Sequence, residues 1–348
     1  MAGIADVARL AGVSQATASR ALTGRGSVSD ATRARVVDAA RVLDYVASST
    51  AASLVTGRTH AVGVVVPTIG SWYFSEVVEG IHGALLEHGY DLSLYDASPH
   101  TPARAAIFER LLARRRFDGL IAVGIEPEHH ELARLLSLGK PVVTIGSPEA
   151  SASGVTLDNH ELTRRATEHL LELGHRRIAL LGGTLDGRET SVGDQERIRG
   201  YLDTMERAGL AAAARHIRSA VSVKGGYSAG AAVLGDSRDR PTAVVGICDE
   251  VAIGAIIAAR RMGILVPADL SVIGIDDHEN AEMFALTTFA QRPREQGQQA
   301  TALLLGAIAD PGAPIARVFE PATLIVRAST SAISPEHSAV VAGTRPRP

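Results

Sequence analysis

Two rhythms of apolar and polar positions divide this chain. Over the first 46 residues apolar side chains recur at helical spacing, with Ile4, Val7, Ala8 and Ala11 forming one stripe that Gly12, a permissive helix terminator, brings to an end. A second helix follows, its first free N–H positioned for Ser14 to accept. Ala18, Ala21 and Leu22 share one face of that helix, while Gln15, Ala16, Ser19 and Arg20 share another. Ser29 caps a third helix with Val36, Val37, Ala40 and Leu43 turned inward and Arg33, Arg35 and Arg41 outward. The prediction is helix, glycine turn, helix, supporting helix.

From residue 61 the rhythm changes. Short continuous apolar runs, "AVGVVVP", "YDLSLYDA", "DGLIAVG", "PVVTIG", "RIALLGG", "TAVVGI" and "LSVIGID", alternate with amphipathic stretches such as "FSEVVEGIHGALLEHG" and "EVAIGAIIAARRMG". Such runs are parallel strands covered by helices on both faces. One set lies before about residue 158 and one after, which predicts two doubly wound lobes with a cleft between them. Between the two rhythms, "VASSTAASLVTGRT" is too short and too weakly anchored for a stable isolated helix. Beyond residue 330, "SPEHSAVVAGTRPRP" has no period and reads as a loose tail, without the heptads that would build a larger bundle.

Composition sharpens this picture. At 348 residues the chain has room for two or three units with real cores. Its single cysteine, Cys248, forbids an internal disulfide; with no secretory leader pattern, a reducing cytoplasm is expected. No apolar run approaches the ~18–20 residues that span a bilayer, so no membrane partner is expected. The net charge of −3 conceals a division, because residues 1–58 hold seven arginines against four aspartates. A head of +3 sits on a body of −6. Gln and Arg on the second helix have the donor geometry to read base edges in a major groove, and short hydroxyls reach phosphates.

The head resembles the lactose-repressor (LacI/GalR) family of transcriptional regulators on "IADVARLAGVSQATASRAL" and "GSVSDATRARVVDAARVLDYV". By that resemblance Gln15, Ala16 and Arg20 take the base-reading positions, and Ser14, Thr17, Ser19, Ser29 and Thr32 the phosphate-contacting ones. Segment 47–59 matches the family's hinge helix, in which Leu54 falls on the leucine that wedges into the minor groove. Where the family has Pro and then Asn-Arg, this chain has Ala47, Ser48 and Ser49.

In the body, ligands of open α/β sheets sit beyond the carboxyl ends of strands. Three groups meet that criterion: Ser71, Trp72 and Tyr73, whose flat rings suit a sugar or base face; Arg197, with a planar fork; and Asp276, an acceptor for hydroxyls. The blocks "DNHELTRRATEHLLELGHRRIALLGG", "RIRGYLDTMERAGL", "PTAVVGICDEVAIGAI" and "VPADLSVIGIDDHENAEMFALTTFAQ" resemble the family's effector domain and extend the likeness over about residues 4–330. There Arg197 and Asp276 fall on principal effector-contacting positions and Cys248 on a frequent polar one. Val221 stands where an aromatic stacking residue is common.

The resemblance therefore implies an all-α helix-turn-helix domain (1–46), a hinge (47–59), an α/β effector domain of two doubly wound parallel-sheet lobes (60–330) and a tail (331–348). It implies a homodimeric repressor of a pseudo-palindromic operator, controlled by a small carbohydrate effector and needing no cofactor or metal. Competing motifs remain. "GYSAG" (226–230), with Asp249 and His278 after Ser228, satisfies the hydrolase elbow pattern formally, but Lys224-Gly225-Gly226 separates it from the preceding apolar run and no oxyanion loop precedes it. "GGTLDG" (182–187) misses dinucleotide spacing, and "EHHE" (128–131) lacks metal-ligand spacing and reads as a solvated helix turn. A sugar-binding protein without a DNA role would share the body but not the head.

Overall fold

A computed structural model describes residues 2–23, 27–45, 58–98, 101–111, 117–125, 131, 137, 139–146, 151–185 and 191–333. Two compact units are present, a helical head running to Ala61 and an α/β body.

In the head, α1 (Ile4–Ala11) stops where Gly12 turns left-handed at φ 65° and returns its N–H to the carbonyls of Ala8 and Arg9. Helices α2 (Gln15–Thr23) and α3 (Asp30–Val42) follow. Small apolar residues (Val7, Ala8, Ala11, Ala18, Ala21, Val36, Ala39 and Ala40) form the core, so the three helices approach closely. Two inward and outward assignments are corrected. Val37 is 49% exposed, because the buried stripe of α3 runs through 36, 39 and 40 and leaves the adjacent position off it. Arg33 turns back and donates to the carbonyl of Ala21 at 2.9 Å, satisfying one of the open acceptors near the end of α2.

The body contains β1 (Ala61–Val66), α4 (Trp72–Glu87), β2 (Asp91–Asp96), α5 (Pro102–Ala106), β3 (Gly119–Val123), β4 (Val142–Ile145) and β5 (Ser153–Thr156). Then come α6 (Asn159–Glu172), β6 (Ile178–Leu181), α7 (Val192–Arg207), β7 (Arg215–Ile217), α8 (Val223–Leu234), β8 (Ala243–Gly246), α9 (Asp249–Arg261), β9 (Ser271–Asp276), β10 (Thr287–Ala290), α10 (Pro293–Ala309), β11 (Arg317–Phe319) and β12 (Thr323–Ile325). One sheet runs β11-β5-β4-β3-β1-β2 and the other β12-β10-β9-β8-β6-β7. Strands are parallel from β11 to β1 and from β10 to β7, and β12 joins antiparallel.

The seven apolar runs of the sequence are β1–β4, β6, β8 and β9. The lobes, however, do not divide at residue 158. The chain crosses after β5, returns between β10 and α10, and crosses again between β11 and β12, so that residues near 293–319 complete the first lobe. Backbone-to-backbone packing of helices explains several glycines. A Cβ on Gly80 of α4 would lie 2.1 Å from the Arg294 carbonyl of α10, and one on Gly226 of α8 would lie 2.2 Å from the Val251 carbonyl of α9. This accounts for "GYSAG": Gly226 and Gly230 let α8 seat on α9, and Ser228 is an exposed mid-helix residue whose hydroxyl donates to the Lys224 carbonyl at 3.1 Å. An elbow serine would stand on a strand-to-helix turn, and this one does not. Glu131 of "EHHE" is likewise corrected: it is 3% exposed and held by Arg104 at 3.0 and 2.7 Å, an ion pair rather than a solvated turn.

Candidate functional site

In the head, Ser14 is fixed before α2 by accepting from the Thr17 N–H at 3.1 Å, and the two hydroxyls lie 2.9 Å apart. Ser14, Gln15, Ala16, Ser19 and Arg20 are exposed on one side of the helix, Thr17 is half-buried, and the Arg20 Nε donates to the Ala16 carbonyl at 3.1 Å. Ser29 accepts from the Thr32 N–H at 3.3 Å and donates to its hydroxyl at 2.9 Å. Polar groups and the positive N-terminal end of α2 thus share one surface. Leu54, with Ala47, Ser48 and Ser49, lies outside the described residues.

The body places a cavity of about 620 Å³, including its open mouth, between the two lobes. Its polar centre is the Arg197 guanidinium on α7. Nε donates to Asn159 Oδ1 at 2.9 Å, one Nη to the Ile247 carbonyl at 2.7 Å, and the other Nη lies 3.5 Å from Asp276 Oδ1. Asp276, last residue of β9, also accepts from Gln291 Nε2 at 2.7 Å. Its φ of 125° is a conformation that side chains rarely adopt, stored here at the mouth of the cleft. Burial pushes its carboxyl up to about 8, opposed by Arg197 and reinforced by the Asp249 charge. Asp249 begins α9 with no exposure, accepting from Thr288 Oγ1 at 2.7 Å and the His278 N–H at 2.8 Å; burial pushes it to about 7. Gly274 is glycine because a Cβ there would sit 2.0 Å from the Asp249 carboxylate.

Ser71, Tyr73, Arg197, Cys248 and Asp276 line this cavity together with Val221. Cys248 is buried at the start of α9, where desolvation and nearby carboxylates push its thiol well up. The Tyr73 hydroxyl is committed to Gln296 Oε1 at 2.6 Å, and its ring meets Phe74 edge-on at 5.4 Å. Ser71 joins the lobes by donating to Glu250 at 3.3 Å. Trp72, grouped with these in the sequence, is not on the cavity wall; its ring meets His278 at a 38° tilt with ring centres 4.8 Å apart. Reading from sequence missed Phe74, Asn159, Asp194 and Gln291 on the wall. Gln291 follows β10 directly, so the strand-end criterion would have found it had that four-residue strand been read.

Comparison with known proteins agrees with both units. Residues 3–48 match the family model for bacterial regulatory proteins of the lacI family, and 167–330 a periplasmic binding protein-like domain. The chain is 35% identical over 341 residues to the HTH-type transcriptional repressor PurR of Vibrio atlanticus, covering 95% of this chain and 98% of that one. Among solved structures, the lac repressor dimer bound to operator and the anti-inducer ONPF matches with a TM-score of 0.83 at 27% identity, over 95% of this chain and 99% of that one. The transcriptional regulator CelR in complex with cellobiose matches at 0.66 and 28%, over 94% and 100%. The chain therefore belongs to the LacI family, as a DNA-binding transcriptional repressor whose helix-turn-helix head is joined to a periplasmic-binding-protein-like, ligand-binding body.

Proposed function

We propose that this repressor acts as a homodimer on a pseudo-palindromic operator and is controlled by a sugar or sugar derivative bound between the lobes. The observation that carries the effector class is the buried Arg197–Asp276 centre. A planar donor fork beside an acceptor, each already oriented by Asn159, the Ile247 carbonyl and Gln291, matches adjacent hydroxyls on a ring. The cellobiose complex of CelR supports the same class. A flat heterocycle is the second reading, favoured by the Phe74 and Tyr73 rings at the wall; the aliphatic Val221 offers it no ring to stack on.

In the head, Gln15, Ala16 and Arg20 read bases, the last by its guanidinium and Ala16 by apolar contact alone, while Ser14, Thr17, Ser19, Ser29 and Thr32 hold phosphates. Leu54 is the minor-groove wedge. A thermal-shift screen of sugars and nucleobases tests the effector class: a ligand at 100 times its Kd adds roughly 2.7 kcal/mol. A sugar hit weakened about tenfold to a hundredfold in Asp276→Asn and Arg197→Ala, with operator binding kept, is the expected result. Stabilisation by nucleobases alone decides for the heterocycle.

A further inference from the structure

Beside the cavity the two lobes also meet directly. On the first lobe stand Ser71 and Trp72, at the start of α4; on the second stand Glu250, in the first turn of α9, and His278, just beyond β9. Ser71 occupies the N-cap position of α4, where a serine hydroxyl ordinarily accepts from a free N–H of its own helix. Here it makes no such bond. Its hydroxyl donates instead to Glu250 Oε2 at 3.3 Å, and the Trp72 backbone N–H bonds the same carboxylate. The first turn of α4 has no acidic residue of its own. Glu250, from the opposite lobe, supplies both the missing acceptor and the negative charge that complements the positive end of the helix.

The second contact of this joint is aromatic. The buried His278 ring is fixed by its Nδ1, which accepts from the Asn280 N–H at 2.9 Å, and the Trp72 ring meets it with centres 4.8 Å apart. Trp72 Nε1 is buried there without a hydrogen-bond partner among the described residues. An unmet donor held out of water works against the contact, whereas parting the lobes would hydrate it. A favourable helix cap and an unfavourable indole donor thus meet at one place, and their opposition keeps the joint reversible.

We infer that Glu250 is a positioning residue: by capping α4 across the cleft, it holds the lobes together beside Ser71 before any ligand binds. Glu250 is not on the cavity wall, although Ser71 and Cys248 are, so it acts through Ser71 and Trp72 and not by touching the effector. A ligand in the cleft works by its differential affinity for two lobe arrangements, and this joint biases the same equilibrium from outside the pocket. The inference holds equally for a sugar and for a heterocycle.

Trp72 is the only tryptophan of the chain, so its fluorescence reports the joint in the full-length protein without added ligand. Glu250→Ala should shift its emission maximum to the red and raise its acrylamide quenching constant at least twofold. Amide hydrogen exchange, followed by mass spectrometry, should quicken at least threefold on both sides of the joint, in residues 71–78 and in 277–281. Glu250→Gln, which keeps an acceptor but not the charge, should recover part of that protection. Ser71→Ala breaks the joint from the other lobe and supplies the same readings if Glu250→Ala does not fold. Faster exchange confined to 71–78 would make Glu250 a cap of α4 and nothing more, which overturns the inference. Unchanged Trp72 emission in the folded variants would overturn it as well.

Discussion

Asp249 has no route to water, yet its carboxyl organises the end of the second sheet through Thr288 and the His278 N–H. Its position in the fold raises its pKa from 3.8 to about 7. The folded chain therefore binds a proton that the unfolded chain releases above about pH 4. This group's favourable contribution is full below that pH and is lost as pH rises through about 7. Asp249→Asn removes the ionisation. The variant's melting temperature relative to wild type should accordingly climb between pH 5 and pH 8, as followed by calorimetry in matched buffers; a constant difference would mean that the carboxyl is not titrating there. None of this was legible in the sequence, where Asp249 was only the middle member of a formal hydrolase order. Depth of burial is a property of the assembled sheet and helix, whereas Asp276 could be singled out as a charged residue at a strand end; Arg197, expected by the same criterion, lies instead within α7 and reaches the cleft from the helix.

At the scale of elements, apolar continuity revealed the strands whose residues are nearly all apolar, including the four-residue β4, β6 and β8, and missed β5 and β10, which carry Ser, Gly and Thr, and the short edge strands β7, β11 and β12. Short edge strands bury too little to carry a continuous pattern: Arg317, Val318 and Phe319 of β11 are exposed or half-buried. Glycine spacing was informative for a different reason than the motif suggested. In "GYSAG" the glycines set a helix contact, so Gly226→Ala should cost about 1–3 kcal/mol or more by forcing α8 from α9, while Ser228→Ala should stay within about 0.5 kcal/mol. Denaturant unfolding of both variants checks the pair, and the reverse order would restore a special role to the serine. The recognition helix yields its own expectation: Arg20→Ala should lose about 1–3 kcal/mol on the operator and relax base preference at one position per half-site. Equal affinity of wild type for operator and scrambled DNA, in a mobility-shift titration, would remove its basis.

For the whole molecule, the proposed phosphate contacts of the positive head predict DNA binding that falls steeply with salt. Each neutralised phosphate contributes about 0.9 to the slope of log affinity against log salt, so replacing one of the proposed phosphate-contacting side chains should lower affinity evenly across sequences, unlike Arg20→Ala. The effector adds coupling only through its differential affinity for two lobe arrangements, typically about 1–3 kcal/mol. The alternation of strands and helices announced two lobes, but not that the chain weaves between them. Connectivity is set by which edge accepts a late strand, and no local pattern records it.

That weave has a consequence for birth on the ribosome. The first lobe's sheet needs β11, and its helix α4 packs on α10, so its early strands must wait for residues 293–319 to emerge. At about 5–20 residues per second the delay is roughly 10–30 s, during which β1–β5 lack both β11 and the covering helix α10. The second lobe, by contrast, has every strand but its edge strand β12 once β10 has been made, lacking besides only the segment Arg327–Ile333 that bonds to its strands. Chains truncated after residue 290, released and pulsed with protease, should yield a resistant fragment from 159–290 and none from 61–156. The order of folding would then run against the order of synthesis, leaving the amino-terminal lobe the more dependent on chaperones.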